Sequence, residues 1–237
     1  MNLSLKFLLF LGTVVASGFG SEVQLAEKLL DKSEAWKIKD FPPPHGVNVS
    51  FGWTPISLKN LNFKENSMKM IGWTTLQWKD ERLQWDPEAF GGVTSIHVPS
   101  DYVWKPDIVP YNMMNTELGN DALFQIVIQH TGTVLQVPVL NIHSSCKLSV
   151  LEDGTPKQTQ TCNVKFGSWT YSSEKIDLDP GSFEIAHFSD HGCWNLEKMA
   201  CERHAVQYPC CEEAYVDVTC EHTFQLKPNA PSFCSKI

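Results

Sequence analysis

Residues Ser67–Trp78, SMKMIGWTTLQW, carry the strongest indication of how this chain folds. Its short alternation of apolar and polar residues predicts a half-buried β-strand. Trp73 and Trp78 lie an odd number of residues apart, so their side chains point to opposite faces of the strand. One tryptophan can fill a core, whereas the other needs a partner that covers it. Leu135 and Val137 share one face of another predicted strand, and on its outer face they would form an apolar wall.

The same pattern of short alternating runs between turn residues recurs along the chain, in VNVSFGW (47–53), DALFQIVIQH (121–130), TVLQVPVL (133–140), CKLSVLED (146–153), CNVKFGSWTY (162–171) and EAYVDVTCEHTFQL (213–226). Many short strands of this kind predict an all-β fold, an immunoglobulin-like twisted β-sandwich of about ten strands. One segment differs, because SEVQLAEKLLDKSEAW (21–36) has apolar residues at helical spacing. It predicts an N-terminal α-helix at one end of the sandwich, followed by an extended connector at FPPP (41–44).

The N-terminus has the features of a secretory signal peptide, which we expect at residues 1–20. Lys6 precedes an apolar run from Phe7 to Val15, and small residues follow. Cleavage between about residues 16 and 20 would leave a single domain over residues 21–237. No later segment is apolar for the roughly 18–20 residues that a transmembrane helix needs. We therefore expect a secreted, extracellular protein.

The net charge indicates which classes of partner are favoured, and the cysteine content indicates a disulfide-forming compartment. The formal net charge is −8, which argues against nucleic acid and anionic membranes as partners and favours cationic ones. Eight cysteines lie in the second half of the chain, and in an exported protein this number indicates a disulfide framework. Asn48-Val-Ser50 is a sequon for N-glycosylation, and we expect Asn48 to be an acceptor.

The segment YPCCEEAY (208–215) places two adjacent cysteines between two tyrosines. A disulfide between neighbouring residues closes almost no loop, so it adds little to stability. Such a pair therefore calls for a functional explanation.

Four motifs, taken in chain order, carry a family resemblance: WTTLQWKDERLQWDPEAFGG (73–92), VWKPDIVPYN (103–112), GSWTY (167–171) and YPCCEEAY (208–215). With them the chain resembles the extracellular ligand-binding domain of Cys-loop (nicotinic) receptors, and most closely the soluble acetylcholine-binding proteins of that family. The likeness implies a protein that binds acetylcholine, nicotine and similar cations. A quaternary ammonium has no N–H to donate, and electron-rich ring faces hold it at a small desolvation cost.

The resemblance also implies which residues form the site. On the principal face, a vicinal disulfide would stiffen the tip of a capping hairpin above an aromatic box; these residues are Tyr111, Trp169, Tyr208, Cys210, Cys211 and Tyr215. The complementary face would come from the neighbouring subunit, with Trp73, Thr75, Val127, Leu135 and Val137. One chain carries both faces, which implies identical subunits arranged head to tail, and the ring of this family is a pentamer.

By resemblance, Cys146 and Cys162 close the family's signature loop, with fifteen residues between them instead of thirteen. Here the loop is polar from Glu152 onward, which fits a protein with no membrane domain. Four cysteines fall outside the family pattern. A hairpin folded around the vicinal pair would bring Cys201 opposite Cys220, and antiparallel neighbours have a Cβ spacing that suits a disulfide. This pairing would leave Cys193 to bond with Cys234. The alternative, Cys193–Cys201 with Cys220–Cys234, stays open.

Other functions have weaker support in the sequence. His187, His191 and Cys193 resemble a metal cluster, but zinc would need the histidine spacing to lie on a helix, so we expect no metal and no cofactor. Catalysis by serine has no supporting motif, and we expect no enzyme activity. Two alternatives remain: a ligand-binding domain of a channel subunit that answers to another amine, and a secreted lectin-like sandwich that stacks tryptophans on sugars.

Overall fold

The structure is a computed structural model that describes residues 20–30, 38–118, 125–189 and 192–235. Of residues 115–118, 233 and 235 it describes the backbone alone. The predicted signal peptide, residues 1–20, lies outside the described residues except for residue 20. The predicted helix is present as α1 over residues 20–29, and residues 31–36 of the prediction also lie outside.

Within the described residues the chain forms twelve strands: β1 (Val47–Asn62), β2 (Ser67–Gln84), β3 (Ser95–Pro99), β4 (Ile108–Pro110), β5 (Met113–Leu118), β6 (Gln125–Gln129), β7 (Thr131–Gln136), β8 (Val139–Ser145), β9 (Thr159–Ser168), β10 (Ile176–Phe183), β11 (Trp194–Gln207) and β12 (Ala214–Leu226). Short 3₁₀ helices lie at Pro87–Phe90, Ser100–Tyr102 and Ser232–Ser235. The all-β prediction is therefore confirmed.

The strands form two sheets. The larger sheet has eight strands, in the order β10-β1-β2-β7-β6-β3, and β8 joins it by pairing with both β2 and β5. The smaller sheet has four strands in the order β11-β12-β9-β4. β1 and β10 run parallel, and the other pairs are antiparallel.

Aromatic side chains fill the space between the sheets. Phe51 and Trp53 of β1 pack on Phe166 of β9, with ring centroids 4.9 and 5.2 Å apart. Leu25 of α1 is fully buried in the same cluster, so the helix covers part of the core. The apolar faces of both sheets are thus removed from water, which is the main source of stability in a sandwich.

The two tryptophans of β2 lie on opposite faces, as their odd spacing predicts. Trp78 is buried at 2 % exposure and packs edge-on against Trp104. Trp73 is only half-buried, on the outward face of the larger sheet. This sheet therefore keeps an aromatic side chain on its surface.

The prediction of a strand over 146–153 was wrong. This segment forms a loop after β8, with an isolated bridge between Val150 and Pro156. Side chains replace a neighbouring strand as partners of its backbone: the Ser149 N–H donates to Gln160 Oε1 at 2.8 Å and the Leu148 N–H to Asn66 Oδ1 at 3.2 Å. A periodic sequence forms a strand only where another strand lies beside it.

All eight cysteines are paired. The disulfides are Cys146–Cys162, Cys193–Cys234, Cys201–Cys220 and Cys210–Cys211. Cys201 and Cys220 face each other in the β11–β12 register, so the bond joins the two arms of the hairpin. The alternative pairing of Cys193 with Cys201 is not the one that forms.

Candidate ligand-binding site

Four aromatic side chains meet beneath the β11–β12 hairpin. Tyr111 follows β4, Trp169 follows β9, Tyr208 follows β11 and Tyr215 belongs to β12. The rings of Tyr111 and Trp169 lie 6.1 Å apart at 72°, and those of Tyr208 and Tyr215 lie 5.9 Å apart at 66°. Both angles are edge-to-face, so within each pair only one face of one ring is covered by its partner.

Tyr111 is fixed at the base of this cluster. Its hydroxyl donates to the Ser168 carbonyl at 2.5 Å, and its N–H donates to the Lys165 carbonyl at 2.7 Å. Burial, together with the nearby ionisable groups Tyr208, Asp217, Asp107 and Tyr215, raises the pKa of Tyr111 to about 12. The phenol therefore stays protonated and keeps its role as a donor.

Asp107 shapes the segment that carries Trp169. Its carboxylate accepts the Ser168 hydroxyl at 2.5 Å and the Thr170 N–H at 2.8 Å, and its carbonyl accepts the Trp169 N–H at 3.3 Å. These bonds hold the turn after β9 while the indole itself remains 72 % exposed. A large ring held this far in solvent is available to a ligand.

The hairpin tip is a tight turn that contains the Cys210–Cys211 disulfide. The Cys211 N–H donates to the Tyr208 carbonyl at 3.1 Å, and the Gln207 amide donates to the Glu212 carbonyl at 2.8 Å. The turn sets the positions from which Tyr208 and Tyr215 extend.

An ion pair that no sequence motif predicts supports the floor of the cluster. Lys165 Nζ lies 2.9 Å from Oδ2 of the buried Asp217 and 5.9 Å from the centroid of the Tyr111 ring. Thr219 Oγ1 donates to Asp217 Oδ1 at 2.9 Å, and His204 Nδ1 lies 3.1 Å from the same oxygen. Strand register brings these residues together: β9 and β12 pair Lys165 with Thr219, and β11 and β12 pair His204 with Asp217.

The second predicted set, Trp73, Thr75, Val127, Leu135 and Val137, lies on the larger sheet. Leu135 is opposite Val127 and Gln77 in the strand register. The set points outward: Val137 is 40 % exposed and the others are half-buried. The structure thus brings these five residues to one face of the larger sheet, whereas the four rings belong to the smaller sheet.

His187 is a neighbour of Trp73 that the sequence did not identify. The two rings lie 5.8 Å apart at 44°, and His187 Nε2 lies 3.8 Å from Glu184 Oε2. His191, its partner in the metal hypothesis, lies outside the described residues, and Cys193 is bonded to Cys234. In the part of the chain that the structure describes, His, Cys, Asp and Glu form no group of three that could hold a metal.

Among the helices of the described residues, none has both the length and the hydropathy that crossing a bilayer requires.

Comparison with known proteins agrees with the fold and with the motifs. Residues 22–228 match the family described as neurotransmitter-gated ion-channel ligand-binding domain. The chain is 34 % identical to acetylcholine receptor subunit alpha-type acr-15 of Caenorhabditis elegans, over 91 % of this chain and 44 % of the relative. It is 32 % identical to neuronal acetylcholine receptor subunit alpha-10 of Rattus norvegicus, over 99 % of this chain and 53 % of the relative.

The chain spans about half the length of these relatives. The matching family is that of a ligand-binding domain and not that of an enzyme. With its β-sandwich, its signature Cys146–Cys162 disulfide and its vicinal cysteines, this chain belongs to the neurotransmitter-gated ion-channel ligand-binding domain family, the extracellular domain of Cys-loop receptors.

Proposed function

We propose that this protein binds acetylcholine-like cations in an aromatic cage between identical subunits, without catalysing a reaction. The cluster of Tyr111, Trp169, Tyr208 and Tyr215 carries the proposal, because two edge-to-face pairs leave ring faces open beside a rigid hairpin tip. The names of the relatives support this ligand class, since both are acetylcholine receptor subunits.

The number of rings sets the scale of the interaction free energy that the proposed cage can provide. A cation over an aromatic face gains roughly 0.5–2 kcal/mol, and a micromolar dissociation constant requires about 8 kcal/mol. Four rings together with apolar burial approach this value before the entropy of association is subtracted. Lys165 does not compete for the cage, because its ammonium is paired with Asp217.

The complementary wall of the cage comes from a second copy of the chain in this proposal. Trp73, Leu135 and Val137 present apolar surface on the outward face of the larger sheet, and such surface favours a partner that covers it. Contact between two different faces of identical subunits is head to tail, and such a contact makes a ring when its rotation closes. We take five members from the family and propose a homopentamer.

We further propose that the domain acts as a secreted binding protein outside the cell and conducts no ions. The loop between Cys146 and Cys162 supports this proposal. Its polar tip, residues 152–154, is exposed, and the Asp153 carboxylate accepts the N–H and the hydroxyl of Thr155 at 2.9 and 2.7 Å. A hydrophilic turn of this kind is suited to water.

A second candidate is the ligand-binding domain of a channel subunit that answers to another amine. The relatives favour it, because they are receptor subunits about twice as long as this chain. Light scattering on the secreted full chain distinguishes the two: a homopentamer gives five times the protomer mass, whereas a separated receptor domain gives monomers or mixed complexes.

Titration of the purified protein with acetylcholine and with nicotine tests the ligand class. We expect saturable quenching of tryptophan fluorescence, because Trp169 is the most exposed ring of the cage. N-acetylglucosamine serves as the control for a lectin-like site. Absence of a saturable change with either amine below millimolar concentration would overturn the proposed function.

A further inference from the structure

A groove of about 450 Å³ lies beside β1, where the connector after residue 40 passes the end of β2. Its walls are residues 43–48 on one side and Lys79, Glu81 and Arg82 on the other. This volume is within the range of small-ligand pockets, about 300–1,000 Å³. None of the proposed cage residues lines it, so it is a separate feature of the molecule.

The groove is held in shape by an anchored connector. The Arg82 guanidinium binds both carboxylate oxygens of the buried Asp80, at 2.8 and 2.6 Å, and donates to the Phe41 carbonyl at 3.1 Å. At the other end the Val47 N–H donates to the Lys175 carbonyl at 2.8 Å. Prolines between these two anchors restrict the backbone, so the groove is preformed.

The acceptor of the glycosylation sequon lies in this groove. Asn48 and Ser50 are both exposed on the outward face of β1, whereas Val49 between them is fully buried. The β1–β2 register pairs Ser50 with Gln77. Continued by two residues, it places Lys79 next to Asn48, and both residues line the groove.

We propose that Asn48 carries an N-linked glycan whose first sugars lie in this groove. The side-chain nitrogen of Asn48 attacks C1 of the terminal N-acetylglucosamine of a lipid-pyrophosphate-linked oligosaccharide, the donor of the host secretory pathway. The N–C1 bond forms, the bond from C1 to the pyrophosphate oxygen breaks, and the amide loses one proton. The nitrogen keeps its second hydrogen, so the existing hydrogen bond from Asn48 to the Asp179 carboxylate is retained.

The lining of the groove suits this sugar. N-acetylglucosamine has apolar C–H faces and a ring of hydroxyl and acetamide groups. Pro44 is exposed and supplies an apolar surface, while the exposed Lys79 and Glu81 supply a donor and an acceptor. A covalently attached sugar is already at a high effective concentration, so even weak contacts order it.

Occupancy is tested on the full chain secreted from eukaryotic cells. Peptide mass spectrometry is expected to find a hexosamine-linked glycan on Asn48 and none in the Ser50→Ala variant, whose sequon is broken. An unmodified Asn48 in the secreted wild-type protein would overturn the proposal.

Docking in the groove is tested by the rate at which peptide N-glycosidase removes the glycan from the folded protein. Loss of two polar contacts in Lys79→Ala/Glu81→Ala is expected to speed release about three- to tenfold. Glu197→Ala/Lys198→Ala, a charge-matched pair that is exposed on β11, is expected to release at the wild-type rate. Should the groove variant fail to fold, Glu81→Gln takes its place. Equal rates in the wild type and in the folded groove variant would overturn docking.

Discussion

The indole N–H of Trp53 donates to Nε2 of His222 at 2.9 Å, and this bond joins the two sheets in the middle of the core. Nδ1 of His222 lies 3.3 Å from the Cys162 carbonyl, which can only accept. The ring therefore carries its proton on Nδ1 and its lone pair on Nε2. Burial lowers the pKa of His222 to about 4, so the neutral tautomer that satisfies both partners is the stable one.

We expect the stability of the domain to depend on His222 as pH falls. The folded-state pKa, about 4, is below the ordinary value of about 6.5. The unfolded chain therefore binds a proton first, and stability that is complete above pH 6.5 is lost as pH falls toward 4. Titration of His222 should therefore lower the free energy of unfolding by about 2 kcal/mol between pH 7.5 and pH 5. Urea unfolding at several pH values measures this change.

The His222→Gln variant isolates this contribution. A glutamine can accept from Trp53 but cannot titrate, so its pH slope over this range should be smaller than that of the wild type. His97→Gln, at an exposed position on β3, should keep the wild-type slope. Equal slopes for the wild type and His222→Gln would contradict the assignment.

Replacing Trp169 should remove much of the affinity for acetylcholine. Loss of one cation–π face together with its apolar contact corresponds to about 1.5–3 kcal/mol, or roughly 10- to 150-fold in the dissociation constant. Trp169→Phe keeps a ring face of weaker quadrupole and should lie between Trp169→Ala and the wild type. Because the side chain is 72 % exposed, neither change should lower the thermal unfolding temperature. Isothermal titration with a choline ester measures the affinities, and unchanged binding by Trp169→Ala would contradict the proposed cage.

The sequence predicted the members of the candidate cage better than it predicted what supports them. Trp169 and Tyr208 lie in short contiguous motifs, and a motif is visible without knowledge of strand pairing. Lys165 and Asp217 form an ion pair at 2.9 Å, but they are far apart in the chain and meet only through strand register.

For the fold too, local features could be predicted from the sequence, whereas contacts between distant segments could not. Alternation identified β2 and the faces of Trp73 and Trp78, because that signal is local. The same alternation wrongly predicted a strand over 146–153, where Asn66 and Gln160 provide the backbone partners instead. Which partner a backbone group finds is decided by tertiary structure, and periodicity carries no information about it.

We expect that Gly167 does not tolerate a side chain, because the added atoms would collide with the ring of Tyr111. A Cβ at Gly167 would lie 2.4 Å from the Tyr111 hydroxyl oxygen and 2.6 Å from Cζ, so the phenol would have to move. We expect Gly167→Ala to weaken acetylcholine binding by about 1–2 kcal/mol, the usual size of a displaced contact. In the Tyr111→Ala background, Gly167→Ala should weaken acetylcholine binding little further, because the ring that it would displace is already absent. The effects of mutations at two residues in contact are not additive. Additive losses in this double-mutant cycle would contradict the mechanism.

The Cys201–Cys220 and Cys210–Cys211 disulfides should differ in what they contribute. Cys201 and Cys220 are separated by 19 residues in sequence, and closing a loop of this length stabilises the folded state by about 3 kcal/mol. Alanine at both positions should lower the free energy of unfolding by about that amount. The vicinal pair closes almost no loop, so Cys210→Ser/Cys211→Ser should leave stability nearly unchanged and should weaken ligand binding.

Denaturant unfolding and ligand titration on both double variants measure the two effects separately. Six cysteines stay paired in each variant: Cys146–Cys162 and Cys193–Cys234 in both, together with whichever of Cys201–Cys220 and Cys210–Cys211 is left intact. Mass mapping of the disulfides verifies this. A large loss of stability on removing the vicinal pair, with wild-type binding, would contradict the functional interpretation of the hairpin tip.

Self-association should depend on the outward face of the larger sheet. Val137 is 40 % exposed beside half-buried Leu135, and a carboxylate at Val137 would lose its hydration against the neighbouring subunit of the proposed ring. We expect Val137→Glu to be a folded monomer by light scattering, while Leu151→Glu, at a 52 % exposed position on the Cys146–Cys162 loop, keeps the wild-type mass. Because the proposed cage spans two subunits, Val137→Glu should also lose acetylcholine binding although every principal-face ring is intact. A monomer that still binds with wild-type affinity would show that one chain holds the whole site, and it would remove the physical reason for a head-to-tail ring.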